Sequence, residues 1–256
     1  MAAMPDQHSK ATVISMAVLA EATTTLLHEG LGHGVIAWMR GAVPTELTTN
    51  HLSTLYTDRW VDAGGTLVNL GAGALALLFA RAAGDRANLR YFCWLLAAKN
   101  LFAGAGYFMF SGVGGFGDWQ QVIDGFPHQA LWRTAMTIFG AALYFVVAFL
   151  LARSVRPFCF ARGTYNTVGR LPYLASCTFS CLAGLFDPLG MKLLLLSSIP
   201  AAFGGSSGLL WLDQLIPRGN VEDPLVVHRA PLWWIAAAVL GVAYIAILGR
   251  GVRFAH

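Results

Sequence analysis

The sequence contains few charged residues. Asp, Glu, Lys and Arg make up 12% of its 256 residues, against about 25% in an average soluble domain, and 56% of the residues are hydrophobic. A deficit of this size excludes an ordinary soluble fold. The net charge of +4 is too small to indicate a nucleic-acid-binding surface. We therefore interpret the basic residues as loop residues at a membrane and expect no nucleic-acid partner.

The chain also lacks flexible linkers, charged tails and Cys-x-x-Cys motifs. Its longest polar stretches are residues 40–62, 114–133, 153–170 and 213–229, which leave no room for a soluble domain. The four cysteines include no Cys-x-x-Cys pair, and we interpret them as small buried residues. We expect a single membrane-embedded domain over residues 1–256, with a core in residues 11–125 and additional spans in residues 131–256.

Long runs without charge make up most of the remaining sequence. A helix needs roughly 20 mostly apolar residues to cross the hydrocarbon core of a bilayer, and in lipid it satisfies its own backbone hydrogen bonds. We predict an all-α fold, a polytopic transmembrane helix bundle of about 6–7 spans. The first run is interrupted by ionisable residues. The predicted spans are residues 11–39, 63–80, 100–117, 134–152, 171–186, 193–212 and 230–249.

Arginines cluster in two of the predicted loops, which follow the second and fourth spans. These loops lie on the same side, which the positive-inside rule assigns to the cytoplasm together with the N-terminus. We expect a multi-pass protein of a bacterial-type plasma membrane. A cleaved signal peptide ending at Ala20 is an alternative, but the apolar pattern continues to Met39 and favours an uncleaved span. The clustered arginines are Arg81, Arg86, Arg90, Arg153, Arg156, Arg162 and Arg170.

The first span contains a cluster of ionisable residues, which are rare inside spans and usually functional. The cluster is the segment His28-Glu29-Gly30-Leu31-Gly32-His33. In the common zinc-hydrolase motif H-E-x-x-H, both histidines bind zinc and the glutamate is the general base. We therefore predict Zn²⁺ as the cofactor, His28 and His33 as ligands, and Glu29 as the catalytic base. A haem pair would leave Glu29 without a role.

The spacing of the two histidines departs from the common motif, because His33 follows His28 by five residues and not four. On a straight α-helix this spacing separates the side chains by roughly 140°, so one ion could not bind both. A π-bulge absorbs the extra residue, and glycines at positions 30, 32 and 34 tolerate the distortion. The H-E-x-x-G-H pattern resembles the variant motif of dipeptidyl peptidase III, in which both histidines bind zinc.

Three segments resemble the site-2 protease family of intramembrane zinc metalloproteases. Residues 27–34 resemble its zinc motif, and Gly65-Thr66-Leu67-Val68-Asn69, in the next span, fits its G-x-x-x-N signature. Residues 111–119, which include Asp118, resemble a divergent form of its aspartate segment, without the usual asparagine, proline and leucine. The resemblance covers residues 20–125 and implies a membrane-embedded zinc endopeptidase.

This resemblance implies roles for individual residues. Asp118 would be the third zinc ligand, and Gly65 and Asn69 would lie near the bound peptide, with hydrogen bonds from Asn69. Glu29 would take a proton from the attacking water. The implied substrate is the transmembrane segment of another membrane protein, cleaved within or near the lipid bilayer.

Several of these assignments have alternatives. Asp187, which precedes Pro188, is a second candidate for the third ligand, although either aspartate could instead be a helix cap. Gly65 and Asn69 could be residues of a helix-packing face. An ion-binding transporter or channel, or a catalytically inactive scaffold, could use the same polar cluster. Neither of these functions needs a glutamate beside a ligand histidine.

Two further groups of ionisable residues fall outside the motif. Glu21 and Lys99 lie within spans, and we interpret them as an ion pair or as the lining of a water path; Lys99 could alternatively neutralise Asp118. The remaining histidines in predicted loops are expected to face solvent; they are His51, His128 and His228.

Overall fold

The structure, a computed structural model, describes residues 7–161, 163–193, 195 and 199–254, and it is mainly helical. Helix α1 (Lys10–Thr25) continues through a π-helix (Leu26–Val35) into α2 (Ile36–Met39). The other helices are α3 (Arg59–Ala82), α4 (Ala87–Gly114), α5 (Asp118–Val122), α6 (Gln129–Val155), α7 (Leu171–Gly184), α8 (Gly190–Leu193), α9 (Ile199–Gly205) and α10 (Pro231–Ile247).

Three helical stretches are long and apolar enough to cross a membrane: Lys10–Met39, Arg59–Ala82 and Gln129–Phe158. Large apolar side chains face outward on the long helices; Phe79 on α3 and Ile138 on α6 are more than 60% exposed. The charged side chains of Glu21 and Lys99 are buried. Extensive exposed apolar surface is typical of contact with a membrane or a partner, and it agrees with an all-α membrane protein.

The predicted span at residues 193–212 is not one helix in the part of it that the structure describes. Helix α9 ends at Gly205, and two 3₁₀ turns follow, at Ser207–Leu210 and Leu212–Leu215. The run Gly204-Gly205-Ser206-Ser207-Gly208 ends the helix because glycine and serine are poor helix formers. Residues 194 and 196–198 lie outside the described residues. Helices α7 and α10 have 14 and 17 residues, fewer than the roughly 20 of a typical span.

Helix α4 packs against α1, α3 and α6 and contributes much of the core. Its Tyr91 and Trp94 are fully buried, and both satisfy their polar atoms. The Tyr91 hydroxyl donates to Val168 O at 2.9 Å, and Trp94 Nε1 donates to Leu151 O at 3.1 Å. Buried aromatic side chains with a hydrogen-bonded polar atom fix the packing of neighbouring helices.

The two arginine-rich loops lie on the same side of the molecule, as the sequence predicted. Asp85 and Arg90, beside the first loop, line one cavity together with Arg156 of the second. Arg162 lies outside the described residues. The cysteines are free thiols; Cys177 is buried, as expected, and the other three are partly buried.

A small antiparallel sheet follows α2 and was not predicted. Strands β1 (Pro44–Leu47) and β2 (Leu52–Thr54) form a hairpin, and β3 (Val252–Arg253) pairs with the other edge of β1. The turn between β1 and β2 is attached to the loop after α7, because Asn50 Nδ2 donates to Asp187 Oδ2 at 2.9 Å. The sheet thus connects the first helices with the end of the chain.

Candidate metal centre

The predicted π-bulge is present. The backbone from Leu26 to Val35 forms a π-helix, flanked by α-helix on both sides. Its wider turns bring His28 and His33 onto one face, with their Nε2 atoms 3.2 Å apart and their rings nearly perpendicular, at 83°. Both residues are buried, so the two imidazoles share one enclosed point.

Glycines let α3 cross the π-helix at close range. A Cβ atom at Gly32 would lie 2.5 Å from Gly65 Cα, and one at Gly65 would lie 2.6 Å from the Nε2 atoms of His28 and His33. Real Cβ atoms essentially never approach other atoms so closely. The signature residue Gly65 therefore lies directly against the imidazole pair, where no side chain fits.

Asp118 completes the group. After α4 the chain turns through Gly115 and Gly117, whose φ angles of 71° and 86° favour glycine. The turn places Asp118 at the start of α5, with its Oδ2 atom 3.2 Å from His28 Nε2 and 3.5 Å from His33 Nε2. Asp118 was the leading sequence candidate for a third ligand, and the structure brings it to the histidine pair.

Asp187, the second candidate, has different contacts. Its carboxylate accepts hydrogen bonds from Asn50 Nδ2 and from the backbone N–H of Leu189, both at 2.9 Å. It therefore holds the β1–β2 turn and caps its own loop. His51, in that turn, was expected to face solvent. That expectation was wrong, because the ring is only 20% exposed and lies between Glu46 and Asp187, 3.9 and 3.8 Å away.

The protonation of His33 follows from its surroundings. His33 Nδ1 lies 2.7 Å from Val61 O. A backbone carbonyl only accepts hydrogen bonds, so Nδ1 carries the proton. In the neutral ring, Nε2 therefore presents a lone pair to His28 and Asp118.

The protonation of His28 is set by a chain of buried amides. His28 Nδ1 lies 2.5 Å from Asn69 Oδ1, and Asn69 Nδ2 donates to Asn100 Oδ1 at 2.7 Å and to Thr24 O at 3.3 Å. Because the amide nitrogen of Asn69 is used by these two acceptors, its oxygen faces His28 and accepts from Nδ1–H. His28 Nε2 then also presents a lone pair.

This arrangement changes the role expected of Asn69. The residue is fully buried, and its amide is used by His28, Asn100 and Thr24. Direct hydrogen bonding to a peptide was the sequence expectation. The structure instead places Asn69 behind His28, where it orients a candidate ligand, because its donors and acceptor are already occupied.

Three hydrogen-bond acceptors therefore meet at one point: His28 Nε2, His33 Nε2 and Asp118 Oδ2. Among the described residues, no donor serves Asp118 Oδ2. Either a proton on one imidazole or a bound metal ion would satisfy such a group. Tetrahedral zinc, with ligands at about 2.0–2.1 Å, separates its ligand atoms by about 3.3–3.4 Å. The observed separations of 3.2, 3.2 and 3.5 Å fit zinc well.

Glu29 lies beside this group and between two cavities. One ligand atom from each of His28, Glu29 and His33 can be chosen so that all lie within 4.8 Å of one another. Glu29 and His33 line an outer cavity of about 270 Å³, together with Asp118 and the β1–β2 turn. Glu29 and His28 also line an inner polar cavity of about 100 Å³, which has room for several water molecules.

Two further buried charged residues, Glu21 and Lys99, line the inner cavity. Lys99 Nζ lies 2.6 Å from Glu21 Oε2, which confirms the predicted ion pair. The ammonium group also donates to Ser206 Oγ at 2.8 Å and to Ser176 Oγ at 3.2 Å. Lys99 therefore has three polar partners, and the alternative pairing of Lys99 with Asp118 is not observed.

Sequence reasoning missed Tyr107. Its ring stacks on the His28 imidazole, with centroids 4.8 Å apart and an interplanar angle of 29°, and it lines both cavities. Its position in α4, two turns after the buried Asn100, was the available signal. His128 and His228 are exposed, as expected.

Comparisons with protein-family models, with curated proteins and with solved structures found no match to this chain. Its candidate function therefore depends on the geometry described above.

Proposed function

We propose that this protein is an intramembrane zinc endopeptidase, similar to the site-2 protease family, that cleaves peptide bonds in or near transmembrane segments of other membrane proteins. The observation that carries the proposal is the convergence of three acceptor atoms, from His28, His33 and Asp118, with a buried glutamate beside them. A simple ion site needs the three acceptors, but only a hydrolase also needs Glu29 next to a ligand histidine.

In this proposal each residue has one task. His28, His33 and Asp118 hold the ion, and Asn69 and Val61 O keep the two imidazoles in the tautomer with a free Nε2. Zinc, when bound, supplies Lewis acidity towards a carbonyl and lowers the pKa of water. Glu29 accepts a proton from the attacking water and delivers it to the leaving nitrogen. The inner cavity offers room for water next to Glu29.

The proposal includes a multi-pass arrangement in a bacterial-type plasma membrane. The three apolar helical stretches would be joined in the bilayer by α4, α7 and α10, giving six spans, at the lower end of the predicted range. The outward-facing apolar side chains of α10, such as Val239 and Leu240, which are 62% and 56% exposed, support its contact with lipid.

The test is the variant Glu29→Gln, which keeps the size of the side chain but cannot accept a proton. Purified wild type and variant are reconstituted in liposomes with a library of apolar, membrane-segment peptides, and products are identified by mass spectrometry. We expect the variant to keep zinc and to lose about 10²–10⁴ in cleavage rate. Cleavage by the variant at the wild-type rate would exclude Glu29 as the base.

A second candidate, ion transport, is favoured by one observation: the Glu21–Lys99 pair shares the inner cavity with His28 and Glu29. Buried ion pairs of this kind occur along ion pathways in membranes. The same liposomes separate the two functions. A wild type that cleaves no peptide but dissipates an ion gradient, with loss of that flux in Glu29→Gln, would replace the peptidase proposal.

A further inference from the structure

An apolar cavity of about 260 Å³ lies between α4 and α9. Its α4 wall includes Ala103, Gly106 and Phe110, and its α9 wall includes Ala201 and Gly204. The exposed lining is almost entirely apolar, whereas both cavities beside Glu29 have a large polar share. For comparison, an engineered apolar cavity of about 150 Å³ binds benzene. This space therefore has room for a large aliphatic or aromatic side chain.

The apolar cavity adjoins the cavities of the metal centre, and Tyr107 is part of the wall between them. That residue lines the apolar cavity, the inner polar cavity and the outer cavity. Phe110 also lines both the apolar and the outer cavity. Because Tyr107 stacks on His28, a group at the three converging acceptors lies one aromatic ring away from the apolar space.

We propose that the cavity between α4 and α9 is the specificity pocket of this metal centre, and that it takes the large apolar side chain of the substrate residue next to the scissile bond. The inference rests on the proposed peptidase function. A peptide carbonyl at the metal centre would direct its backbone towards the polar atoms of the outer cavity and the adjoining side chain past Tyr107.

The chemistry of the lining selects the side chain. A leucine or phenylalanine side chain gains by burial there, whereas a charged or amide side chain loses its water without a polar partner. Discrimination by a methylene group in such pockets is about 10–200-fold. We therefore expect a strong preference for large aliphatic or aromatic residues over alanine.

The test uses small hydroxamates, which bind zinc through their own oxygen atoms and do not require turnover. We compare leucine hydroxamate with alanine hydroxamate on zinc-loaded wild type, by calorimetry and by thermal shift. The pocket predicts at least tenfold tighter binding of the leucine compound. Gly204→Leu fills the pocket from α9, where a Cβ atom meets no atom within 4 Å. In this variant the two hydroxamates should bind about equally well, because the affinity for leucine hydroxamate falls while that for alanine hydroxamate changes little.

Two further variants make the test specific. Gly106→Leu fills the pocket from α4, where a Cβ atom would make only ordinary contacts of 3.6 Å and more, and it should have the same effect. Gly71→Leu is the matched control, because Gly71 is exposed on α3 and its Cβ atom also meets nothing within 4 Å. It should leave the preference unchanged.

The outcomes separate the pocket from the proposed function. An unchanged leucine preference in both Gly204→Leu and Gly106→Leu would overturn the pocket, even if the wild type cleaves peptides. If the two variants lose affinity for both hydroxamates equally, the pocket is also overturned, and the cavity is then a space for lipid or for packing. Absence of hydroxamate binding to zinc-loaded wild type would overturn both the pocket and the metal centre on which it depends. If the pocket variants behave as predicted but the wild type cleaves no peptide, the pocket stands and the peptidase proposal fails.

Discussion

His28 is held by Asn69 through a hydrogen bond of 2.5 Å between its Nδ1 atom and the amide oxygen. The bond joins the π-helix to α3, and Asn100 and Thr24 fix the direction of the amide. A buried group of three helices thereby decides which nitrogen of His28 can bind a metal. Residues that orient metal ligands commonly change metal affinity 10–100-fold when replaced.

We expect Asn69→Leu to lower zinc affinity about 10–100-fold, because the leucine fills the space but removes the acceptor for Nδ1–H. Asn69→Asp keeps an acceptor and should retain more of the affinity. Zinc affinity is measured by competition with a chelator in detergent. The control is Asn88→Ala. Asn88 lies at the start of α4, away from Asn100, and its side chain bonds to the backbone of His228. Equal affinity in wild type and Asn69→Leu would contradict the orienting role.

Purified protein should contain about one zinc ion per chain, measured by elemental analysis. His28→Ala, His33→Ala and Asp118→Ala should each lose it, because a three-ligand site with one ligand removed binds zinc poorly. Asp187→Asn is the matched control for the carboxylate and should keep the ion. Loss of zinc in Asp187→Asn with retention in Asp118→Ala would transfer the third-ligand role.

Gly65→Ala should abolish zinc binding while Gly71→Ala does not. The added Cβ atom would lie 2.6 Å from the Nε2 atoms of both histidines, so the imidazoles must move apart. Gly71 is on the same helix, and an alanine there meets no atom within 4 Å. Alanine at both positions gains helix propensity, so a loss of zinc confined to Gly65→Ala isolates the steric effect. Normal zinc content in Gly65→Ala would mean that the helices separate without cost.

Lys99→Met should destabilise the protein by about 3–5 kcal/mol, because it leaves Glu21 buried without its partner. The double variant Glu21→Leu, Lys99→Met should recover most of this loss, since a buried ion pair is often replaceable by apolar residues. Arg40→Met removes an exposed pair with Asp58 and should cost at most about 1 kcal/mol. Reversible unfolding in mixed micelles measures all three. A double variant as unstable as Lys99→Met would contradict the expectation that apolar residues can replace this ion pair.

The local geometry of the metal centre could be predicted from the sequence because it depends on a short motif. The five-residue spacing of His28 and His33 is incompatible with one ion on a straight helix, and the π-helix follows from that requirement. The ion pair of Glu21 and Lys99 was predictable for a similar reason, since two isolated charges in apolar spans have few alternatives. Whether the site binds zinc stays a prediction.

Other parts depended on contacts between distant segments, which leave weak local signals. The strands have two to four residues, and β3 pairs with β1 across about two hundred residues, so no local pattern indicated a sheet. The stacking of Tyr107 on His28 depends on how α4 rotates against α1. The end of α9 at Gly205 shows that average hydropathy alone overestimates helix length where glycine and serine accumulate.

The π-helix also affects how such a motif can change during evolution. In an α-helix, inserting one residue rotates everything beyond it by about 100°, which would turn Ile36 and Ala37 away from the cluster that they form with Val61. A wide turn takes up the rotation locally, so an insertion between His28 and His33 need not disturb the helix on either side. The six-residue and five-residue forms of the motif are therefore one mutational step apart, and a protein can pass between them while its two histidines continue to meet.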